Sequence, residues 1–172
     1  MIPLLKPGKD AKDPTAYRPL SMLNVDYKIL SRILASRLLP HMPKLIHPDQ
    51  TGFIPNRNTA INIRRLFRIM DSKTYDIETA AVLAVDVEKA FDSLEWNFLY
   101  KVMKRMNLGP DFRAWTTLLY TEPCAQVQTG GRISSKYRVE RDTRQGCPLS
   151  PPLFAIAIEP LAGWARLASR YR

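Results

Sequence analysis

The sequence predicts an α/β (α+β) fold, and three patterns in its 172 residues carry that expectation. An unbroken apolar run over residues 80–85 ends abruptly at Asp86. Its length and its valines suit a strand buried on both faces. Five stretches carry apolar residues at helical spacing on one side and charge on the other. Near Gly130-Gly131, alternating polar and apolar residues flank a two-glycine turn, as in a hairpin.

In chain order, residues 1–5 form a short apolar strand and residues 6–14 a charged loop of turn formers. Pro19 biases Arg18 away from helix, so residues 17–20 are extended. Residues 24–39 carry Tyr27, Leu30, Ile33, Leu34 and Leu38 on one helical face, until Pro40 and Pro43 break the pattern. Residues 47–57 are loop, with Phe53 and Ile54 as its anchors. A second helix spans 59–72, with Ile61, Ile63, Leu66, Phe67 and Met70 on its apolar side. Its Arg64, Arg65 and Arg68 make a basic side, either solvated or facing nucleic acid.

Beyond the Asp86 strand, Asp92 and Glu95 have the spacing of a capping box, placing Asp92 at the N-cap of a helix to about residue 106. Leu108-Gly109-Pro110 ends that helix and starts another over 111–120, which buries Trp115, Leu118 and Leu119. Residues 124–129 and a return strand to about 139 make the hairpin. Ser150-Pro151 opens a last helix, with Ser150 as N-cap and Leu153, Phe154, Ile156, Ala157 and Leu161 on its apolar side.

Lys and Arg number 26 against 16 Asp and Glu, for a net charge of +10. That field suits a polyanion, nucleic acid ahead of an anionic membrane. No signal peptide and no apolar run of membrane-spanning length occurs, so the expectation is an intracellular protein without a membrane partner. Cys124 and Cys147 lack metal-ligand spacing and are expected as free thiols.

Asp86 stands where open α/β sheets place ligands, at the C-terminal end of a strand. On residues alone it is either a Mg²⁺ ligand or a cap for the next helix. Ala84-Val-Asp86-Val-Glu-Lys-Ala-Phe91-Asp92 resembles the first aspartate motif of reverse transcriptases. Arg144-Gln145-Gly146-Cys-Pro-Leu-Ser150-Pro151-Pro-Leu-Phe154 resembles their motif B, and Tyr17-Arg18-Pro19-Leu20-Ser21-Met-Leu-Asn24 followed by Tyr27-Lys28 resembles their fingers motif. His47-Pro-Asp-Gln50-Thr-Gly52-Phe53 resembles the version in LINE-type, non-LTR retrotransposons. Together, in this order, the four stretches cover nearly the whole chain.

The resemblance implies a right-hand polymerase, with fingers over 1–78 and a partial palm over 79–172. A fingers excursion falls at about 121–148, and the thumb is absent. It implies an RNA-directed DNA polymerase that joins dNTPs to a DNA primer on an RNA template, by phosphoryl transfer on two Mg²⁺ ions, with Mn²⁺ as the alternative. Asp86, with the Val87 carbonyl, would then be catalytic and hold metal. Lys6 and Arg18 would hold the triphosphate, as mobile point charge and planar fork. Phe91 matches the residue that lies under the sugar and excludes a 2′-hydroxyl; otherwise it is a core phenylalanine. Gln145 and Gly146 match the part of motif B that lies against nucleotide and template; otherwise Gly146 is a loop turn. Asp92 remains structural, and Ser150 is read as an N-cap rather than a direct contact.

A second aspartate motif, aromatic-x-Asp-Asp, is expected after motif B, and no Asp-Asp pair occurs in the sequence. The expectation is therefore a fragment that does not polymerise alone. The competing reading is a non-catalytic nucleic-acid-binding remnant of a retroelement. The family also implies a ribonucleoprotein of cytoplasm and nucleus, with no protein partner predictable.

Overall fold

The computed structural model describes residues 1–71 and 82–168. β1 (Ile2–Leu5) pairs antiparallel with β2 (Tyr17–Leu20), in a register that sets Ile2 opposite Leu20 and Leu5 opposite Tyr17. The loop between them is closed from within. The Asp13 carboxylate accepts from the Thr15 N–H at 2.8 Å, and the Tyr17 hydroxyl donates to the Ala11 carbonyl at 2.8 Å.

α1 (Val25–Leu38) carries Asp26 in its first turn and Arg37 in its last, each at the helix end its charge favours. Leu34, Ala35 and Leu38 are its buried stripe, while Ile33 faces outward. A 3₁₀ turn at Leu39–His41 leads into the single-turn α2 (Met42–Leu45), whose Met42 is fully buried. α3 (Ala60–Met70) lies near its expected place, but none of its residues is buried. Its apolar side is therefore open to solvent.

α4 (Trp96–Arg105) and α5 (Pro110–Leu119) are joined by the Leu108-Gly109-Pro110 stop and pack against each other. α4 buries Leu99, Val102 and Met103. On α5 the expectation holds for Leu119 only. Trp115 and Leu118 are exposed, and Thr116 is buried instead, its hydroxyl donating to the Phe112 carbonyl at 2.9 Å. α6 (Ser150–Ala168) packs on α4 through the fully buried Leu153 and Ile156, while Leu161, Trp164 and Leu167 point out. One cluster built on α1, α2, α4 and α6 makes the core. Each of its fully buried Leu, Ile or Met side chains contributes about 1.5–3 kcal/mol.

The expected hairpin forms as two short ladders. β3 (Cys124–Ala125) pairs with β6 (Tyr137–Arg138), and β4 (Gln128–Thr129) with β5 (Arg132–Ile133). Gly130 and Gly131 join β4 to β5, both at positive φ (53° and 73°), as a two-residue hairpin turn of this hand requires. Both cysteines are free, Cys124 exposed and Cys147 buried. Among the described residues, no helix is long and apolar enough to cross a membrane.

Two further expectations are corrected. The buried strand over 80–85 is not formed in its described part: residues 82–87 have no regular structure, and Val82, Leu83 and Val85 are 68%, 87% and 78% exposed. Residues 80 and 81 lie outside the described residues. A strand is stabilised through a neighbour that pairs its N–H and C=O groups, and no described sheet includes residues 82–87. Asp86 accordingly stands exposed in an irregular segment rather than at a strand end. The capping box is not formed either. α4 starts at Trp96 behind Glu95, without a side-chain cap bond, because the Asp92 carboxylate is engaged by Gln145.

Candidate nucleotide site

β2, the segment 89–92 and the loop 142–149 meet at a cavity of about 750 Å³, a size that suits a small-molecule ligand. Lys6, Arg18, Phe91, Gln145 and Gly146 all line it. These five residues come from three distant parts of the chain, and backbone hydrogen bonds hold the parts together. The Ser21 N–H donates to the Gln145 carbonyl at 3.1 Å, tying β2 to the loop. The Thr143 N–H donates to the Phe91 carbonyl at 2.9 Å, tying the loop to the turn that carries Phe91.

Each lining residue is placed by local chemistry. The Lys6 backbone N–H bonds the Ala16 carbonyl at 2.9 Å, and its ammonium rests on the Thr15 carbonyl at 3.0 Å. The ammonium is thus parked at the rim on a neutral acceptor that an anion would outcompete. Arg18 sits exposed on β2, held extended by Pro19. Gly146 has φ +101°, and a Cβ there would come within 3.2 Å of the Ser21 carbonyl oxygen. Only glycine gives this turn without strain.

Gln145 donates through Nε2 to Asp92 Oδ1 at 3.2 Å, which orients its amide at the cavity edge. Asp92, Lys89 and Arg144 also line the cavity. No ligand role had been read for these three from sequence, although each adjoins or nearly adjoins a residue that had one. Arg144 stacks its guanidinium over Tyr27, 4.6 Å from the ring centroid, with Tyr120 on a further side at 5.9 Å. Burial pushes the Tyr27 phenol well above its ordinary range, so it stays neutral beneath the cation. Ser150 donates its hydroxyl to the Arg144 carbonyl at 3.0 Å, so it fixes this loop as well as opening α6.

Behind the cavity lies Asp142, at φ 140° and buried. Its backbone is clamped: its N–H donates to the Leu94 carbonyl at 3.2 Å, and its carbonyl accepts from Trp96 Nε1 at 2.8 Å. Burial first, and the neighbouring Asp92 charge second, push its carboxyl up to about 7, with Arg144 opposing.

Asp86 and Val87 do not line this cavity. Each offers a hard oxygen of the kind Mg²⁺ takes, but that ion needs a near-octahedral shell of them. Among the described residues, no three His, Cys, Asp or Glu side chains gather closely enough to hold a metal ion. The donors assembled here do not fit a two-ion centre.

Residues 5–171 match the model of a family described as reverse transcriptase (RNA-dependent DNA polymerase). Over 163 residues the chain is 32% identical to the transposon TX1 uncharacterized 149 kDa protein of Xenopus laevis, covering 93% of this chain and 12% of that protein. It is 27% identical over 159 residues to a retrovirus-related Pol polyprotein from the type-1 retrotransposable element R2 of Popillia japonica, covering 92% of this chain and 22% of that one. Over 160 residues it is 29% identical to the RNA-directed DNA polymerase from the mobile element jockey of Drosophila funebris, covering 91% and 17%. The chain thus spans between 12% and 22% of the length of these relatives.

Proposed function

The chain belongs to the reverse transcriptase (RNA-dependent DNA polymerase) family, in its non-LTR retrotransposon group, and on that premise we propose that its cavity holds a deoxynucleoside triphosphate during copying of an RNA template onto a DNA primer. The observation that carries this reading is convergence. Lys6, Arg18, Phe91, Gln145 and Gly146, spread over most of the sequence, line a single cavity. Lys6 and Arg18 take the triphosphate, the first as a mobile point charge and the second as a planar fork. Lys89 adds a third cation to the lining of the same cavity. Phe91 faces the sugar, and Gln145, oriented by Asp92, faces the base with Gly146 allowing close approach.

Residues 1–78 then serve as fingers and 79–172 as part of a palm, with the hairpin at about 121–148 returning to the fingers. Reverse transcriptases generally use divalent metal ions. Asp86 and the Val87 carbonyl are the donors this reading assigns to such ions. They supply one carboxylate where a full shell is needed, so no chemical step is assigned to them.

The test is nucleotide affinity. Titrating dATP into the chain and its Arg18→Ala and Lys6→Ala variants should show binding weakened about tenfold in each, the worth of one charge-assisted contact. Asp86→Ala, which does not line the cavity, should change affinity less than either when metal is omitted. Equal affinity in all variants would remove the assignment.

A further inference from the structure

Phe91 belongs to no helix or strand among the described elements, yet sugar selection needs its ring held in one place. Its backbone is fixed from one side. The fully buried Thr143 gives both its N–H, at 2.9 Å, and its hydroxyl, at 3.3 Å, to the Phe91 carbonyl. These bonds hold the main chain and leave the side-chain torsions free to turn.

Two other rings restrict them. Phe154 lies 4.9 Å away, centroid to centroid, tilted by 33°, and it is carried on the long helix α6. Phe53 meets Phe91 edge to face, at 5.8 Å and 76°. One ring packed at a tilt and another meeting it edge to face leave the Phe91 ring little room to rotate.

Phe53 is the unexpected member. It is 52% exposed and stands at φ 61°, a left-handed conformation that bulky residues rarely adopt. Its loop does not need it as an anchor. Ile54 is buried, Gln50 donates to the Ala155 carbonyl at 3.2 Å, and Arg57 bonds the carbonyls of Pro43, Ile46, His47 and Gln50. The loop is thus tied down by other residues, and the left-handed backbone at Phe53 sets that ring against Phe91. Phe91 lines the cavity, whereas Phe53 does not. Any influence of Phe53 on a bound nucleotide therefore passes through Phe91.

We propose that Phe53 is a positioning residue for sugar selection: it fixes the orientation of the Phe91 ring and so sets the preference for deoxyribonucleotides over ribonucleotides. The inference rests on the reading of Phe91 as the residue facing the sugar.

The experiment measures dissociation constants of dATP and ATP, with Mg²⁺ present, for the full chain and for Phe91→Ala, Phe53→Leu and Phe53→Tyr, with thermal melts of each. The unsubstituted chain should favour dATP by about tenfold, a discrimination that shape alone can supply against one added hydroxyl. Phe91→Ala should bring the ratio near unity. Phe53→Leu keeps apolar bulk but loses the ring edge, and should lower the ratio several-fold, chiefly by tightening ATP. Phe53→Tyr keeps the ring and should restore the ratio. If Phe91→Ala collapses the ratio and Phe53→Leu does not, the role of Phe53 is refuted while that of Phe91 stands. Equal loss of both affinities in Phe53→Leu would reduce Phe53 to loop structure and likewise refute it. No preference in the unsubstituted chain, no binding, or a preference untouched by Phe91→Ala would overturn both.

Discussion

Asp142 combines a rare backbone conformation, a buried carboxyl and a neighbouring negative charge. Its Oδ1 has no hydrogen-bond partner among the described residues. Its carboxyl titrates near 7 in the folded chain against an ordinary 3.8. The folded state thus binds the proton more tightly than the unfolded state. Its contribution to stability is complete below about pH 3.8 and is lost as the pH rises toward 7. Asp142→Asn keeps the shape and removes the titration. Urea denaturation at pH 5 and pH 8 should show the variant more stable than the parent at pH 8, by about 1–2 kcal/mol, with most of that gain gone at pH 5. A pH slope unchanged by the substitution would refute this account of Asp142. Asp92 faces Asp142 and accepts from Gln145, so the charge state of this pair also bears on how the Gln145 amide is held.

At the scale of elements, Arg57 does for the loop 47–57 what secondary structure does elsewhere. Its guanidinium closes the carbonyl end of α2 and the start of the loop at once, through four bonds of 2.7–3.0 Å. Arg57→Ala removes all four bonds, leaving the His47 carbonyl with its bond from the Gln50 N–H at 3.1 Å, and should cost about 2–3 kcal/mol in a denaturant titration. Arg57→Lys should recover little, because a single ammonium cannot span both sides of the fork. A loss below about 0.5 kcal/mol, typical of an inconsequential surface change, would contradict this.

The same scale explains what was readable in the amino-acid order. α1, α4, α5 and α6 announce themselves because a helix is stabilised by near neighbours: Pro110 and Gly109 mark their boundary, and Leu99, Val102 and Met103 repeat on one face. The hairpin is equally local, since Gly130 and Gly131 alone decide its turn. The run at 80–85 carries the composition of a buried strand, but pairing is a long-range property and the described residues bring no neighbour to 82–87. Asp92 reads as a cap from Glu95 three positions on, and only the fold reveals Gln145, 53 positions away, as its partner. In the site, Arg18, Phe91, Gln145 and Gly146 stand within recognisable motifs. Lys89 and Arg144 sit in the same motifs but look like ordinary surface cations until the cavity forms around them. The link from Phe53 to Phe91 crosses 38 positions that no local pattern connects.

The whole molecule presents 13069 Å² to solvent, where a compact protein of 19.7 kDa presents roughly 8,600 Å². Part of the excess is apolar: Leu83 and Val85 on the irregular segment before Asp86, Phe67 and Met70 on α3, Trp164 and Leu167 on α6. Contiguous apolar exposure and unpaired backbone favour association. The net charge of +10 opposes it by repulsion, and salt screens that repulsion. Light scattering of the chain should therefore show mass rising with concentration, and rising further with salt. Replacing Leu83 and Val85 by lysine should reduce both effects. A monodisperse monomer indifferent to salt, with no binding of an apolar dye, would show that these faces are covered in solution.

On the proposed reading, β2, the Phe91 turn and the loop around Gln145 hold a nucleotide between them. Photolabelling with an azido-substituted dATP, followed by peptide mapping, tests it directly. Label confined to peptides containing Arg18, residues 89–92 and residues 144–147, and displaced by excess dATP, is the predicted result. Label that falls elsewhere, for instance on the apolar hollow between α1 and α5, or that excess dATP does not displace, would contradict it.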